Sequence, residues 1–192
     1  DATILDFSGK VEVQRRNNTS WETARSGMKL FEGDFVKTGP NGAVELVGTS
    51  DGTLYRIKPE SLFELHSSGK ETGKRVQVNI VIGEVNLQTG ESNRSVVTTD
   101  KATADVGQGS NVAIGSDKER NTRGDVLKGS AVISINRTGE KIALNERDSI
   151  TVGAAGAGPR VRLPDAPGLL LPDDNASFDL RKVEPLLKWS PV

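Results

Sequence analysis

The sequence predicts an all-β protein, an elongated β-sandwich or a short β-solenoid, with a proline-rich extended C-terminal tail. Apolar residues recur with period two along short runs, the pattern of a half-buried strand. Turn signals built from Gly, Asn and Asp separate those runs at intervals of roughly 8 to 20 residues. Composition agrees: of 192 residues, 21 are glycine and 4% are aromatic, so the core must come from Val, Ile, Leu and Ala.

Each element follows the same grammar. Val11 and Val13 alternate with Glu12 and Gln14. Residues 21–31 leave room for one turn of helix, interrupted by Gly27. From 33 to 59 the chain is a run of short strands punctuated by glycine turns, with Val44 and Leu46 flanking Glu45. Phe63 and Leu65 then flank Glu64. The clearest strand is 76–82, where Val76, Val78, Ile80 and Ile82 share one face. After Gly83 the apolar positions become Val85 and Leu87, and a glycine at a change of phase predicts a β-bulge or bend. Whether 76–87 is an edge or a core strand stays open at this level. Ala102, Ala104 and Val106 make the next strand, and Ala131, Ile133 and Ile135 another. Ile142 and Leu144, then Ile150 and Val152, close the series.

Turn signals lie between these runs at Asn17-Asn18, Pro40-Asn41-Gly42, Asp51-Gly52, Ser68-Gly69, Thr89-Gly90 and Thr138-Gly139. Residues 118–123 are charged and read as an exposed loop. Strand, turn and strand recur loosely, with no exact repeat.

Composition shifts at Gly153. Residues 1–152 read as one β domain and 153–177 as a Gly/Ala/Pro-rich linker. Pro164, Pro167 and Pro172 favour an extended path outside any sheet. Leu169-Leu170-Leu171 would be an exposed apolar patch unless docked. The segment 178–192, ending in Leu186-Leu187-Lys188-Trp189, resembles the first strand of a fibronectin type III module.

With 25 basic and 26 acidic residues, net charge is −1, and there is no electrostatic case for nucleic acid or an anionic membrane. The absence of cysteine excludes disulfides, thiolate zinc sites and thiol catalysis, and a single histidine excludes a multi-His metal site within one chain. No apolar run is long enough for a transmembrane helix. A chain that begins at Asp1 reads as a processed or trimmed piece.

Residues 9–65 resemble the FecR domain family. The segment Gly33-Asp34 to Thr38-Gly39, followed by Asp51-Gly52-Thr53, bears the most specific part of the likeness. Gly9-Lys10-Val11, Trp21, Gly27, Leu30, Val36, Gly42-Ala43, Ile57, Pro59 and Ser61 fit around it. Farther on, Ala102, Ala104 and Val106 fit, as do Gly129-Ser130-Ala131-Val132 and Leu144. Thr99-Asp100 and Gly109-Ser110 depart from the family's Thr-Pro and Arg-Gly-Thr. In all the likeness spans roughly 9–152. It implies an all-β module of the bacterial periplasm or cell surface. In iron-transport regulators such a module follows an anti-sigma segment and a membrane helix, and reads an outer-membrane receptor by protein contact. Other members sit in envelope proteins beside peptidoglycan-binding or fibronectin-like modules, and this chain looks closer to those.

Several residues invite a chemical reading. Asp34 and Asp51 sit at glycine turns, where a carboxylate bonds nearby backbone N–H groups. Glu64 and His66, with Glu60 close by, suggest an acid–base pair, but Phe63 and Leu65 claim the opposite face, so this reads as a solvated strand face. Arg123-Gly124-Asp125 is the integrin tripeptide, a short motif that arises readily by chance. Asp117, Asn121 and Asp125, and separately Asp173-Asp174-Asn175, offer oxygen ligands without EF-hand spacing. Gly107-Gln108-Gly109 falls between strands, the wrong context for a dinucleotide loop. Trp21 fits a family position expected in the core, and Trp21, Tyr55 and Trp189 are the side chains that could stack on a sugar.

No catalytic, cofactor or metal residue is therefore assigned, and no cofactor is expected. The expectation is a non-enzymatic envelope module for protein–protein interaction or signal sensing, on the face formed by 43–65 and 76–87. Strand addition to an exposed edge is the expected mode. Binding of peptidoglycan or surface polysaccharide is the alternative. A hydrolase is a third reading, without a triad or carboxylate pair to support it.

Overall fold

The computed structural model describes residues 1–68, 75–165, 169–171 and 188–189. It divides into two compact units, Asp1–Arg162 and Leu163–Val192.

The first unit is all strand. In chain order the strands are β1 (Ala2–Ser8), β2 (Val11–Gln14), β3 (Trp21–Thr23), β4 (Lys29–Leu30), β5 (Phe35–Thr38) and β6 (Ala43–Gly48). There follow β7 (Leu54–Ile57), β8 (Leu62–Ser68), β9 (Arg75–Gln88), β10 (Ser95–Thr98), β11 (Ala102–Val106) and β12 (Asn111–Ser116). The unit closes with β13 (Thr122–Lys128), β14 (Ser130–Ile135), β15 (Lys141–Asn145), β16 (Asp148–Gly153), β17 (Gly156–Ala157) and β18 (Val161–Arg162). Residues 21–31 form β3 and β4 with a turn between, not helix; Gly27 has φ 77° and suits that turn.

The strands make two sheets. One runs β4–β1–β6–β7–β9–β12–β13–β16, with β17 and β18 both on the outer side of β16. The other runs β3–β2–β5–β8–β9–β10–β11–β14–β15. Every pairing is antiparallel except β9 with β10. The sheets share one core, in which Tyr55, Phe63, Leu46 and Ile133 are among the largest fully buried side chains. Facing hydroxyls tie the sheets together, Tyr55 Oη to Ser95 Oγ at 2.7 Å and Thr99 Oγ1 to Thr122 Oγ1 at 2.6 Å.

Strand β9 belongs to both sheets. Its first half pairs with β8 and β10, its second with β7 and β12. The changeover falls at Gly83, where the apolar phase changes in the sequence. Gly83 has φ 101°, and a Cβ there would lie 2.1 Å from Ser61 Oγ. No other residue type has both the backbone freedom and the room. Strand 76–87 is thus a core strand, paired on both sides, and is not an available edge.

The hairpins alternate between sheets, and the chain builds the same corner twice. At the first, Thr38 Oγ1 donates to Lys58 O at 2.7 Å and accepts from Ser61 N–H at 2.9 Å. At the second, Thr89 Oγ1 donates to Gly107 O at 2.7 Å and accepts from Ser110 N–H at 2.9 Å. Ser61 Oγ accepts from Glu84 N–H at 3.1 Å, as Ser110 Oγ does from Ser130 N–H at 3.0 Å. Gly83 packs on Ser61 as Gly129 packs on Ser110. Glu60 (φ 55°) and Gly109 (φ 59°) turn the chain at equivalent points. The loose repetition in sequence is a near-repeat in hydrogen bonding.

The first unit runs to Arg162, with β17 and β18 paired to β16. In the second unit Leu169–Leu171 pairs antiparallel with Lys188–Trp189. Pro167 and Pro172, on which the extended non-sheet path was expected, lie outside the described residues. The Ser68-Gly69 turn and Asp173-Asp174-Asn175 extend outside the described residues.

Candidate binding groove

A groove of about 1020 Å³ opens beside the first corner. Residues 37–40, 58–62 and 82–84 form one side, and the β12–β13 hairpin (115–119, 121 and 123) with Thr151 forms the other. The interaction face expected at 43–65 and 76–87 and the charged loop 118–123 meet here. Within that loop only the tip is a turn; Thr122 and Arg123 already belong to β13.

The groove follows from the corner. The Thr38–Ser61 bonds turn the chain sharply, and Gly83 lets β9 cross behind it. Pro40 and Pro59 are exposed there, while Leu62 and Ile82 are half-buried in the lining. Charges of both signs stand at the rim. Lys58 and Glu60 are exposed on the corner side, Lys118 and Glu119 on the hairpin side. Asp117 closes the hairpin tip by accepting from Asn121 N–H at 2.7 Å and from Asn121 Nδ2 at 2.9 Å. The Asn121 side-chain bond holds the Asp117 carboxyl below the usual range. Among the described residues, Ser116 Oγ is buried beneath the lining without a hydrogen-bond partner.

The other sequence candidates are placed as follows. Asp34 is buried and fully engaged. It accepts from Arg15 Nη1 at 2.7 Å, Phe31 N–H at 3.0 Å and Arg16 N–H at 3.1 Å. Asp51 accepts from Thr53 N–H at 3.0 Å in the β6–β7 turn. Both carboxylates act on backbone, as turn chemistry requires. His66 Nε2 lies 2.9 Å from Glu64 Oε2 on the outer face of β8, with Phe63 and Leu65 buried beneath. Glu60 is away from that pair, on the groove's rim. Arg123, Gly124 and Asp125 lie within β13, where Arg123 Nε donates to Asp125 Oδ1 at 3.0 Å and Gly124 packs between Ile114 and Ile133. Asp125 also accepts from Ser149. The tripeptide is embedded in a sheet, not displayed on a loop. Gly107-Gln108-Gly109 forms the second corner.

Trp21 corrects an expectation. It was placed in the core but is 38% exposed on edge strand β3, with Lys37 Nζ 5.9 Å from its ring centroid. Edge strands offer little depth in which to bury an indole. Tyr55, by contrast, is fully buried and cannot stack on a ligand. Trp189 lies on a described strand whose side chains are outside the description. Periodicity flagged the groove's strands, but not the groove itself, because the pairing of the corner with the β12–β13 hairpin is set by tertiary packing.

Among the described residues, no three His, Cys, Asp or Glu side chains are grouped to hold a metal, and no helix is long and apolar enough to cross a membrane. These features define a hairpin-built β-sandwich with an open, mixed-charge groove. The chain belongs to the FecR protein family, whose model matches residues 34–132. The fold agrees with two crystal structures, at 1.65 and 2.50 Å, of a putative anti-sigma factor from Parabacteroides distasonis ATCC 8503. They are 15% and 16% identical to this chain, with TM-scores of 0.55 and 0.54. Each match covers 67% of this chain and 59% of the other, so the chain spans under two thirds of that protein's length. No curated protein sequence matches.

Proposed function

We propose that this chain is a non-enzymatic module of the bacterial cell envelope, in the periplasm or at the cell surface, that works by protein–protein contact or signal sensing. Family membership carries this reading. The groove fits it, because its rim offers lysines and carboxylates to a charged protein surface. The similar fold of a putative anti-sigma factor from Parabacteroides distasonis fits a signalling role.

Strand addition is a mode open to β3 and β15, the outer strands of the second sheet, each paired on one side only among the described residues. Arg160 Nη1 donates to Ala143 O at 3.3 Å and so covers part of the β15 edge. Trp21 gives the glycan reading its one specific support, an exposed aromatic on a sheet face.

In-cell chemical crosslinking tests the proposal, applied to cells that carry the gene and followed by envelope fractionation and muramidase digestion. The expected result is a discrete adduct with an envelope protein that survives the muramidase. An adduct released by muramidase favours the glycan reading. A chain confined to the cytoplasm contradicts the proposal.

A further inference from the structure

We infer that the groove at the first corner receives an extended segment of a protein partner, one whose apolar side chains are bracketed by charges of both signs. This rests on the reading of the chain as a protein-binding module.

The chain supplies its own comparison. The two corners have matching hydrogen bonds, so folding requires the Thr, the Ser and the Gly of each corner and leaves the positions between them free. At the second corner those positions are polar or small. Gln108 stands where the first corner has Pro59, Asn111 where it has Leu62, and Lys128 where it has Ile82. The second corner is also partly covered by its own chain. Gln108 Nε2 donates to Ser92 O at 3.2 Å, and the Glu91 carboxylate lies against Gly109. At the first corner Pro40 stands in place of Glu91, and the surface opens into about 1020 Å³. Corner formation does not explain this substitution of apolar for polar groups. An occupant that buries them does.

Rim charge selects the occupant. Among the described residues Lys58, Glu60, Lys118 and Glu119 form no ion pair. Each wall offers charge of both signs, with Lys37 and Glu84 adding to the corner side, and Asp117 and Arg123, tied to Asn121 and Asp125, to the hairpin side. A polyanion would meet Glu60 and Glu119, and a neutral glycan would cover all four charges without compensation. A polypeptide with acidic and basic residues on either side of an apolar centre satisfies both walls. Proline-lined, partly apolar surfaces suit extended chain, which brings few ordering costs of its own.

Site-specific photo-crosslinking in cells tests this on the full chain. A photo-reactive amino acid is placed at Lys58 or Lys118, on opposite walls, and at Gln108 or Lys128 of the second corner as controls. Adducts from Lys58 and Lys118 should map, by mass spectrometry, to one short segment of one protein bearing both charge signs around apolar residues. Leu62→Arg should cut adduct yield at Lys58 at least tenfold. In case Leu62→Arg unfolds the domain, the exposed pair Lys58→Glu with Lys118→Glu is crosslinked from a probe at Glu119 and should lose several-fold at low salt. Protein adducts only from the second corner overturn the groove assignment and leave the protein-binding reading standing. Adducts to glycan alone, or none from any position, overturn both. Groove adducts that scatter over unrelated proteins, or that survive both sets of substitutions in a folded domain, overturn the groove assignment.

Discussion

Asp34 is the residue where sequence reasoning and structure meet most closely. A Gly-Asp pair before a strand signals a turn, and the carboxylate indeed binds the backbone of Phe31 and Arg16. Its partner Arg15 was not legible, because the contact depends on how β2 lies beside β5. Arg15 keeps a third of its side chain exposed, so the ion pair itself contributes modestly; the two backbone N–H groups dominate. Asp34→Ala should lower unfolding free energy by about 2–4 kcal/mol in urea titration, with Asp34→Asn losing less. A loss below about 0.5 kcal/mol would assign Asp34 no structural role. Tyr55 gives a second test at this scale. Burial raises its phenol pKa well above the ordinary value of about 10, with the Ser95 hydroxyl opposing. The unfolded chain ionises near 10, so its contribution is complete below that pH and is lost as pH rises through the folded value. Tyr55 is the single tyrosine, so its ultraviolet ionisation signal is unambiguous. In the folded protein that signal should appear only as alkaline unfolding begins; tyrosinate formed near pH 10 in folded protein would contradict the burial.

At the scale of elements, alternation in the sequence marked β2, β6, β8, β9, β11, β14, β15 and β16, because inward side chains set a period of two, but it did not mark β1, β10 or β12. What alternation could not supply was pairing. Strand 76–87 satisfied every local criterion, yet only its neighbours in space make it the member common to both sheets. The change of phase at Gly83 was visible as a bulge signal and proved to be the crossing between sheets. The double corner was half visible: Thr89-Gly90 read as a turn, as did Pro40-Asn41-Gly42 just after Thr38, but the partner serines lie 23 and 21 residues away, so no fixed period connects them. Trp21 was misplaced for a related reason, since a short edge strand looks locally like a core strand. If the corners are equivalent, Thr38→Val and Thr89→Val should each cost about 1–3 kcal/mol, by leaving a Ser N–H and a carbonyl unsatisfied. Calorimetry should find the two losses alike within about 1 kcal/mol; a neutral effect at either position would break the equivalence.

For the whole molecule, the two sheets and their shared strand are scaffold, and the proposed binding function rests on the difference between the corners. A corner repeated with matching bonds but different surface chemistry separates what folding needs from what binding uses. The sequence led to the family and to the strands beside the groove. It could not reveal that the β12–β13 hairpin would form the opposite wall. Peptide-induced changes in backbone amide hydrogen exchange test the central claim most directly. The probe is a synthetic peptide of the partner segment identified by crosslinking, added to the full chain. Protection should rise in residues 58–62, 82–84 and 116–121 and stay unchanged at 107–111 and 128–130. Protection confined to the second corner, or absent from both walls of the groove at saturating peptide, would contradict it.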